Sequence, residues 1–496
     1  MNPNLTTQSL ELIKAALNKG GSQDLAKAWT QSGSAVSGIT AYDLEAPAKL
    51  LYPVMTPIRN ITPRVAARGG IQANWRAVTG INTGNTPLGR AEGKRSAAMV
   101  TTTADYLAAY RALGLEDYVT WEADYAAEYF QDLKALAVMQ LLRATMIAEE
   151  QVLLGGQGTW AMTRTPQPAT TPSNSGGTCT DAHSPYNVYC VALNLFGYQR
   201  SSVAGGIVQD ISRTNMDSTS DTVKGGSARV SLVQTGTIAS GSAGSIACTV
   251  TAVPGAVAYA WFWGATGQDA LLGAITTTNA YTIITDVATG TQTYASLDNA
   301  SDHSQDSLVF DGLLAQAFKT GSNSYIKSLD NAQLSASGAG GITEIDTALQ
   351  SFWDNYKLSP DAMWVNAQER GTINVKAMTG AANAAQRFVF SVDQGSIKGG
   401  TMVRSYLNPF TMGEGEEIPI NLHPNIPPGL ILFTTSRLPY PLSNVSNVWQ
   451  LRLRYDYRQM EWPMTKPRYE YGIYLDGILQ HYFPASMGII YNIKKG

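Results

Sequence analysis

The stretch from Asp117 to Gly156 carries the longest helical pattern in the chain and restricts the fold more than any other. Neither Pro nor Gly interrupts it between Leu115 and Gly155, and residues that favour helices dominate it. At about 1.5 Å per residue, a helix of roughly thirty residues is about 45–50 Å long, far longer than an average helix. Its apolar stripe recurs at steps of three and four residues: Tyr125, Tyr129 or Phe130, Leu133, Ala137, Leu141, Ala144 and Ala148.

No strict heptad runs through this stretch, and no similar pattern elsewhere offers it a coiled-coil partner. The pattern therefore predicts one long spine helix that other elements lie across. We expect it to pack through Tyr129, Phe130, Leu133 and Leu141.

The composition favours β-rich structure around this helix. A chain of 496 residues predicts about two to four domains. Only 15% of the residues are charged, against about 25% in ordinary globular proteins. Low charge together with 46 Gly, 24 Tyr and 10 Trp is typical of extended structure whose surfaces partner subunits cover.

Charge and cysteine content exclude several classes. A net charge of −3 gives no global basic character for nucleic-acid binding. Cys179, Cys190 and Cys248 form an odd set without zinc spacing, so a reduced state is expected, and a disulfide between two of them stays open. Without a signal peptide or a membrane-length apolar run, we expect a soluble, cytoplasmic product.

Two segments precede the spine helix. Residues 1–66 form a polar arm with an amphipathic helix pattern from Leu5 to Leu17, and three prolines predict an extended Leu50–Pro63. Residues 67–113 then show two extended runs around a turn-rich middle, which predicts a long β-hairpin. A hairpin of this length is not stable alone in water, so a partner subunit is expected to support it. Its tip is charged and carries Arg90, Glu92, Lys94 and Arg95.

Three further regions follow. Residues 161–305 contain short strands at spacings of about 8–12 residues between polar linkers, which predicts a β-sandwich inserted into another domain. The stretch around Ala247–Trp263 resembles the middle strands of immunoglobulin or fibronectin-III modules, with Trp261 as the candidate core residue. Residues 306–444 mix helix and strand patterns, and Thr343–Leu358 is predicted to be a helix whose apolar face is Ile345, Leu349, Phe352 and Tyr356. Residues 445–496 are strand-like and aromatic.

The chain carries no recognisable catalytic motif: a dinucleotide fingerprint, a P-loop and a nucleophile elbow are all missing. His183, His303, His423 and His481 are isolated, which favours structural or surface roles. Glu149 and Glu150 would suit an acid/base pair or a metal site, but adjacent helical side chains point about 100° apart, which favours a solvated helix end. Glu414, Glu416 and Glu417 likewise favour a solvated turn over a cation site.

Two basic patterns leave alternatives open. Arg90, Lys94 and Arg95 could bind a phosphate, contact carboxylates of an adjacent subunit, or belong to a merely solvated loop. The alternation of Tyr and Arg from Arg452 to Tyr471 would suit base stacking, but its period of two favours a strand with arginines outward and aromatics inward. We therefore predict no catalytic residue, no cofactor and no metal site, and thus a protein that is not an enzyme.

Four stretches resemble the major capsid proteins of tailed bacteriophages, which have the Hong-Kong-97-type fold. LLYPVMTPIRNITPRVAARGG is similar to that family's passage from arm to hairpin, and residues 113–156 to its passage into the spine helix. SPDAMWVNAQERGTI resembles the helix–strand–helix unit of its A-domain, and LQHYFPASMGIIYNI its closing P-domain strands. The likeness covers most of the chain outside about 160–305.

The resemblance implies an α+β capsid fold with an all-β immunoglobulin-like insertion. Its parts would be an N-terminal arm (1–66), an E-loop hairpin (67–116), a P-domain with the spine helix (117–160), the insertion (161–305), an A-domain (306–444) and returning P-domain strands (445–496).

It also implies a function: self-assembly into hexamers and pentamers of an icosahedral virion shell around double-stranded DNA, without sequence-specific contacts. Other expected partners are neighbouring copies at the E-loop tip and portal, scaffold or decoration proteins. Two alternatives remain: an encapsulin-like compartment shell, and a carbohydrate-binding or adhesive β-rich protein.

Overall fold

A computed structural model of the chain describes residues 49–128, 131–337, 340–379, 392–393, 396–397, 402–413, 415–440 and 443–496. The predicted helix at Leu5–Leu17 and the side chains of Tyr129, Phe130 and Glu414 therefore lie outside the described residues. The chain has an α+β fold. Its described part divides into a smaller compact unit (49–56, Gly114–Ala148, Gln459–Ile473) and a larger one (Pro57–Leu113, Glu149–Arg458, Tyr474–Gly496).

The first elements include a helix where extended chain was predicted. Helix α1 (Pro57–Ile61) makes one turn, and Pro57 occupies its first position, where a missing N–H is tolerated. Strand β1 (Arg64–Ala66) follows. Strands β2 (Gln72–Ile81) and β3 (Thr101–Ala109) then form the predicted antiparallel hairpin, in which Gln72 lies opposite Ala109 and Ile81 opposite Thr101.

The predicted spine helix is shorter than expected and begins later. Strand β4 (Arg111–Thr120) takes its first residues, where Tyr118, Val119 and Thr120 favour extended backbone. Helix α2 (Trp121–Ala127) follows, and the spine helix α3 covers only Leu133–Gly155. A new helix starts there because the Asp132 carboxylate accepts the Ala135 N–H at 2.9 Å, an N-cap that the apolar periodicity did not reveal.

Residues 161–305 fold as two antiparallel sheets around a shared core. Their elements are β5 (Ala169–Ser173), β6 (Cys179–Thr180), β7 (Tyr186–Leu193), helix α4 (Leu195–Arg200), β8 (Asp210–Thr214), β9 (Ser220–Lys224), β10 (Gln234–Gly236), β11 (Ala243–Thr249), β12 (Ala258–Ala265), β13 (Leu271–Thr276) and β14 (Ala280–Ile283). One sheet has the order β10-β7-β12-β13 and the other β14-β11-β5, with β6 beside β11, while β8 and β9 pair separately. Trp261, Cys190 and Ile246 lie in the core between the sheets.

Helix α4 lies in a region for which only strands were predicted. The Asn194 side chain accepts the Gly197 N–H at 2.9 Å and so starts the helix. The two ends of the region are adjacent, because the Met162 N–H donates to the Ser304 hydroxyl at 2.9 Å. Adjacent ends are what a domain inserted into another domain requires.

The next elements form a mixed sheet with helices. They are α5 (Leu313–Phe318), β15 (Tyr325–Ser328), α6 (Thr343–Tyr356), β16 (Ala362–Val365), α7 (Ala367–Thr379), β17 (Val392–Asp393), β18 (Ser396–Ile397), β19 (Ser405–Asn408), β20 (Glu416–Leu422) and β21 (Ile431–Thr434). Helix α6 buries Ile345, Leu349 and Phe352 of its predicted apolar face, whereas Tyr356 is half-buried. These side chains form a core with residues of the sheet, among them Phe433.

The chain ends with β22 (Trp449–Glu461), β23 (Arg468–His481) and β24 (Gly488–Tyr491). Strands β22 and β23 belong to a sheet of order β1-β22-β23-β4. Strand β24 instead belongs to the sheet of order β15-β24-β21-β16-β20-β19, where Gly488 lies opposite Phe433. Three-residue helices at Asp181–His183, Tyr294–Ser296 and Pro484–Ser486 complete the described elements.

Candidate functional site

Glu149 and Glu150 lie at the centre of a buried ionic cluster, so the prediction of a solvated helix end was wrong. Their exposed fractions are 1% and 0%. The divergence of adjacent helical side chains does hold, because each carboxylate binds its own set of partners.

Glu150 fixes the start of helix α1. Its carboxylate accepts the backbone N–H groups of Ile58 at 2.9 Å and Arg59 at 2.6 Å. Both donors lie in the first turn of that helix, where no intrahelical acceptor exists. His423 Nε2 lies 2.6 Å from the same carboxylate. Because the Asn425 N–H donates to His423 Nδ1 at 3.1 Å, the imidazole hydrogen is on Nε2 and is donated to Glu150.

Glu149 binds two arginines and a tyrosine. Arg59 Nε lies 3.2 Å and Arg64 Nη1 2.8 Å from its carboxylate oxygens, and the Tyr457 hydroxyl donates to it as well. Arg64 also makes a bidentate salt bridge with Asp456, in which Nε and Nη2 donate to the two carboxylate oxygens at 2.9 and 2.6 Å. Both guanidinium groups lie about 5 Å from the centre of the Tyr457 ring, within cation–π range.

The neighbouring charges and hydrogen bonds in this cluster favour the protonation state that each group needs for its contacts. Burial lowers the pKa of Arg64, but the hydrogen bond to Asp456 and the charge of Glu149 outweigh it and raise that pKa. Burial and the charge of Glu149 raise the pKa of Tyr457, so its hydroxyl stays protonated and remains a donor. Burial alone would raise the pKa of Asp456, but the hydrogen bond from Arg64 lowers it below its usual value.

We call this cluster the latch, because it holds distant segments together and every carboxylate oxygen of Glu149 and Glu150 already accepts a hydrogen bond within the chain. It joins the segment Pro57–Ala66 to the end of helix α3, to strand β22 and to the turn at His423. Sequence reasoning did not find it, because its members are separated by up to 398 positions. The available signal was a pair of acids inside a helix pattern, between the apolar stretches Met146–Ala148 and Val152–Leu154.

The β2–β3 hairpin is exposed over most of its surface. Only its base is packed: Ala73 is buried, and Trp75 stacks on Tyr106 with ring centres 6.0 Å apart. Large apolar side chains farther along are left to solvent, with Ile81 73% and Leu88 97% exposed. A two-stranded ribbon exposed in this way lacks a core of its own.

The predicted charged tip lies in the loop 82–100 between the two strands. Arg90, Glu92, Lys94 and Arg95 are all exposed, and the Arg90 guanidinium donates to the Lys94 carbonyl at 3.1 Å. The structure thus brings these residues together on one loop. Their proposed contacts with a neighbouring copy stay a prediction.

An apolar cleft of about 490 Å³ lies at the base of the hairpin. Tyr106–Ala109 of β3 form one wall, and Val309, Phe310 and Leu479 belong to the lining around it. Lys319 lies at the cleft, where its Nζ is 2.8 Å from the Thr159 hydroxyl and 3.5 Å from the Asp311 carboxylate. No local sequence pattern indicates this cleft, since its lining comes from distant segments.

The other candidate residues take structural positions. Leu141 is buried and Leu133 half-buried, while Trp261 is fully buried and donates its Nε1–H to Thr276 at 2.9 Å. In β22, Leu451 and Leu453 are buried and Arg454 is exposed, but Arg452, Tyr455 and Tyr457 are half-buried, so the predicted separation of outward arginines from inward aromatics holds only in part. Glu416 and Glu417 are exposed at the start of β20.

The histidines and cysteines also have packing roles. His303, His423 and His481 are buried, and His183 is half-exposed beside Thr180, with 2.9 Å between His183 Nδ1 and the threonine hydroxyl. Cys179, Cys190 and Cys248 are buried free thiols. Among the described residues, no group of three or more His, Cys, Asp or Glu side chains is placed to hold a metal ion. In the same part of the chain, every helix is too short or too polar to cross a membrane.

The chain is similar to known proteins in structure but not in sequence. No protein-family model and no curated protein matches the sequence. Among solved structures, the chain is similar to the capsid of a native GTA particle, with 9% identity, a TM-score of 0.42, and 94% of this chain and 99% of the other covered. It is also similar to the capsid of Myoviridae phage XM1, with 7% identity, a TM-score of 0.38 and the same coverage.

A third similar structure is the mature capsid of bacteriophage PhiM1, with 8% identity, a TM-score of 0.38, and 94% and 96% of the two chains covered. All three identities are below 10% and all three TM-scores below 0.5. The functional assignment therefore depends on the chain's own elements and contacts.

Proposed function

We propose that this chain is the major capsid protein of a tailed bacteriophage, with the Hong-Kong-97-type arrangement that its sequence resembles. The observation that carries the proposal is the β2–β3 hairpin, a long two-stranded ribbon that exposes apolar side chains such as Val78, Ile81 and Leu107. Such a ribbon needs a neighbouring subunit to lie on.

The remaining architecture supports the same proposal. The hairpin is followed by helix α3, then by the inserted β-rich region, the mixed sheet with helices α6 and α7, and the returning strands β22 and β23. This order matches the E-loop, spine helix, A-domain and P-domain that the resemblance implies. The latch around Glu149 and Glu150 would hold the segment before the hairpin in a fixed position during assembly.

In this proposal, copies of the chain form the hexamers and pentamers of an icosahedral shell around double-stranded DNA. The two-sheet region at residues 161–305 is an immunoglobulin-like domain that projects outward. A net charge of −3 suits a container that does not condense its DNA through the wall. Portal, scaffold or decoration proteins are the expected additional partners, and the role is structural, not enzymatic.

Electron microscopy of the purified chain tests the proposal. We expect closed shells of uniform diameter, and the matched variant with residues 82–100 replaced by a two-residue turn should fold but not form them. A chain that stays monomeric at high concentration, under all salt and scaffold conditions, would overturn the proposal. Shells that package an enzyme and no DNA would favour an encapsulin-like compartment.

A further inference from the structure

The cleft at the hairpin base contains an unpaired strand edge. The Tyr110 N–H donates to the Ile71 carbonyl at 3.2 Å, so these residues form a hydrogen-bonded pair. Such pairs alternate with pairs whose backbone groups point away from the partner strand. Leu107, opposite Asn74, and Ala109, opposite Gln72, therefore direct their N–H and C=O groups away from β2.

This edge faces the cleft. Leu107 and Ala109 both line it, and no other described strand pairs with β3 on that side. An open edge beside apolar walls is a template for one more extended strand. Backbone hydrogen bonds would hold that strand, and its side chains would fill the cleft.

A described segment of the chain has matching properties. Residues 50–55, LLYPVM, are outside any helix or strand and precede α1 directly. Their apolar side chains are exposed: Leu50 44%, Leu51 52%, Tyr52 38% and Met55 61%. The segment thus offers backbone outside the described helices and strands, together with exposed apolar side chains.

We propose that residues 50–55 of a second copy add to the free edge of β3 as a third strand and fill the cleft. Pro53 sets the register, because it has no N–H and must lie at a position that faces away from β3. Tyr52 and Val54 then direct their backbone groups toward β3. The added strand runs antiparallel to β3, with Val54 opposite Leu107 and Tyr52 opposite Ala109. The added strand turns the two-stranded ribbon into a three-stranded sheet, which is the smallest stable kind.

This inference rests on the proposed function, since it names the contact by which one copy supports the hairpin of the next. Disulfide trapping tests it. One chain carries Leu107→Cys, another carries Val54→Cys, and the two are mixed, assembled and oxidised. We expect a cross-linked dimer on a non-reducing gel, and none when Ile81→Cys, an exposed position at the far end of β2, replaces Leu107→Cys.

The native thiols of Cys179, Cys190 and Cys248 should form few unwanted disulfides in this experiment. All three are buried, and burial raises the pKa of Cys179 to about 11 and that of Cys248 to about 12. A second pair, Ala109→Cys with Tyr52→Cys, tests the register at two further exposed positions. Cross-linking in either pair supports the added strand.

The outcomes separate the two proposals. Wild-type chains that form no particle would overturn the proposed function. Particles in which neither pair cross-links would overturn only the added strand. A chain carrying both Val54→Cys and Leu107→Cys that cross-links only within itself, when assembled with wild-type chains, would also overturn it, because the occupant would then be the chain's own segment.

Discussion

His423 donates its Nε2–H to the Glu150 carboxylate at 2.6 Å, joining residues 273 positions apart in the chain. Both side chains have no exposed surface. The same carboxylate holds two backbone N–H groups of helix α1. One buried acid thus connects the segment before the hairpin, the end of the spine helix and the turn that follows β20.

Replacing Glu150 with Ala should strongly destabilise the chain. The change leaves the Ile58, Arg59 and His423 donors buried without an acceptor, and breaking a buried charged contact costs about 3–5 kcal/mol. Urea unfolding measures the loss. Glu122→Ala, an exposed acid in α2, should change stability by less than about 0.5 kcal/mol. Equal effects of the two substitutions would contradict the latch.

Stability should also depend on pH through His481. Burial lowers the pKa of this histidine to about 3, whereas an unfolded chain protonates it near about 6.5. Between these values the unfolded state binds the extra proton, so this stability is complete above about pH 6.5 and is lost as the pH falls toward 3. The slope is about 1.4 kcal/mol per pH unit.

Unfolding curves between pH 7 and pH 4 test this dependence. His481→Asn should remove most of the slope, since its amide oxygen replaces the ring nitrogen that accepts the Phe483 N–H at 3.2 Å. His183→Asn, at a half-exposed side chain, serves as the matched control. An unchanged slope in the His481 variant would show that other groups cause the acid sensitivity.

Charge reversal at the hairpin tip should impair assembly without unfolding the subunit. Arg90, Lys94 and Arg95 are exposed, so Arg90→Glu, Lys94→Glu and Arg95→Glu together should leave the subunit's melting temperature nearly unchanged. Particle yield, measured by sedimentation, should fall severalfold. Lys494→Glu with Lys495→Glu reverses exposed charges elsewhere and should have a weaker effect. Normal yield from the tip variant would exclude a tip contact with neighbouring subunits.

Removing the core tryptophan of the two-sheet region should destabilise that region locally. Trp261 is fully buried, and replacing such a residue with Ala costs about 3–5 kcal/mol. We expect proteolysis within residues 161–305 of Trp261→Ala, while particles still form. Leu232→Ala removes a side chain that is 54% exposed and should remain resistant. Loss of all assembly in the Trp261 variant would mean that this region is part of the shell's framework.

Local sequence patterns predicted the helices and strands that follow from the spacing of apolar residues within a single segment. The alternation around the turn-rich middle predicted β2 and β3, and the apolar face of Ile345, Leu349 and Phe352 predicted α6. Periodicity failed where one polar side chain decided the boundary. Asp132 caps the start of α3 and Asn194 the start of α4, and each single hydrogen bond outweighed the surrounding pattern.

The sequence by itself determined the α+β class, the long hairpin, the presence of a spine helix and the β-rich region after it, because spacing of apolar residues and turn residues acts over a few positions. Tertiary structure alone decided that Glu149 and Glu150 are buried, and that β3 borders an apolar cleft. A carboxylate is stable in the interior only when donors surround it, and here those donors come from Arg59, Arg64, His423 and Tyr457. No local pattern encodes contacts between segments hundreds of residues apart.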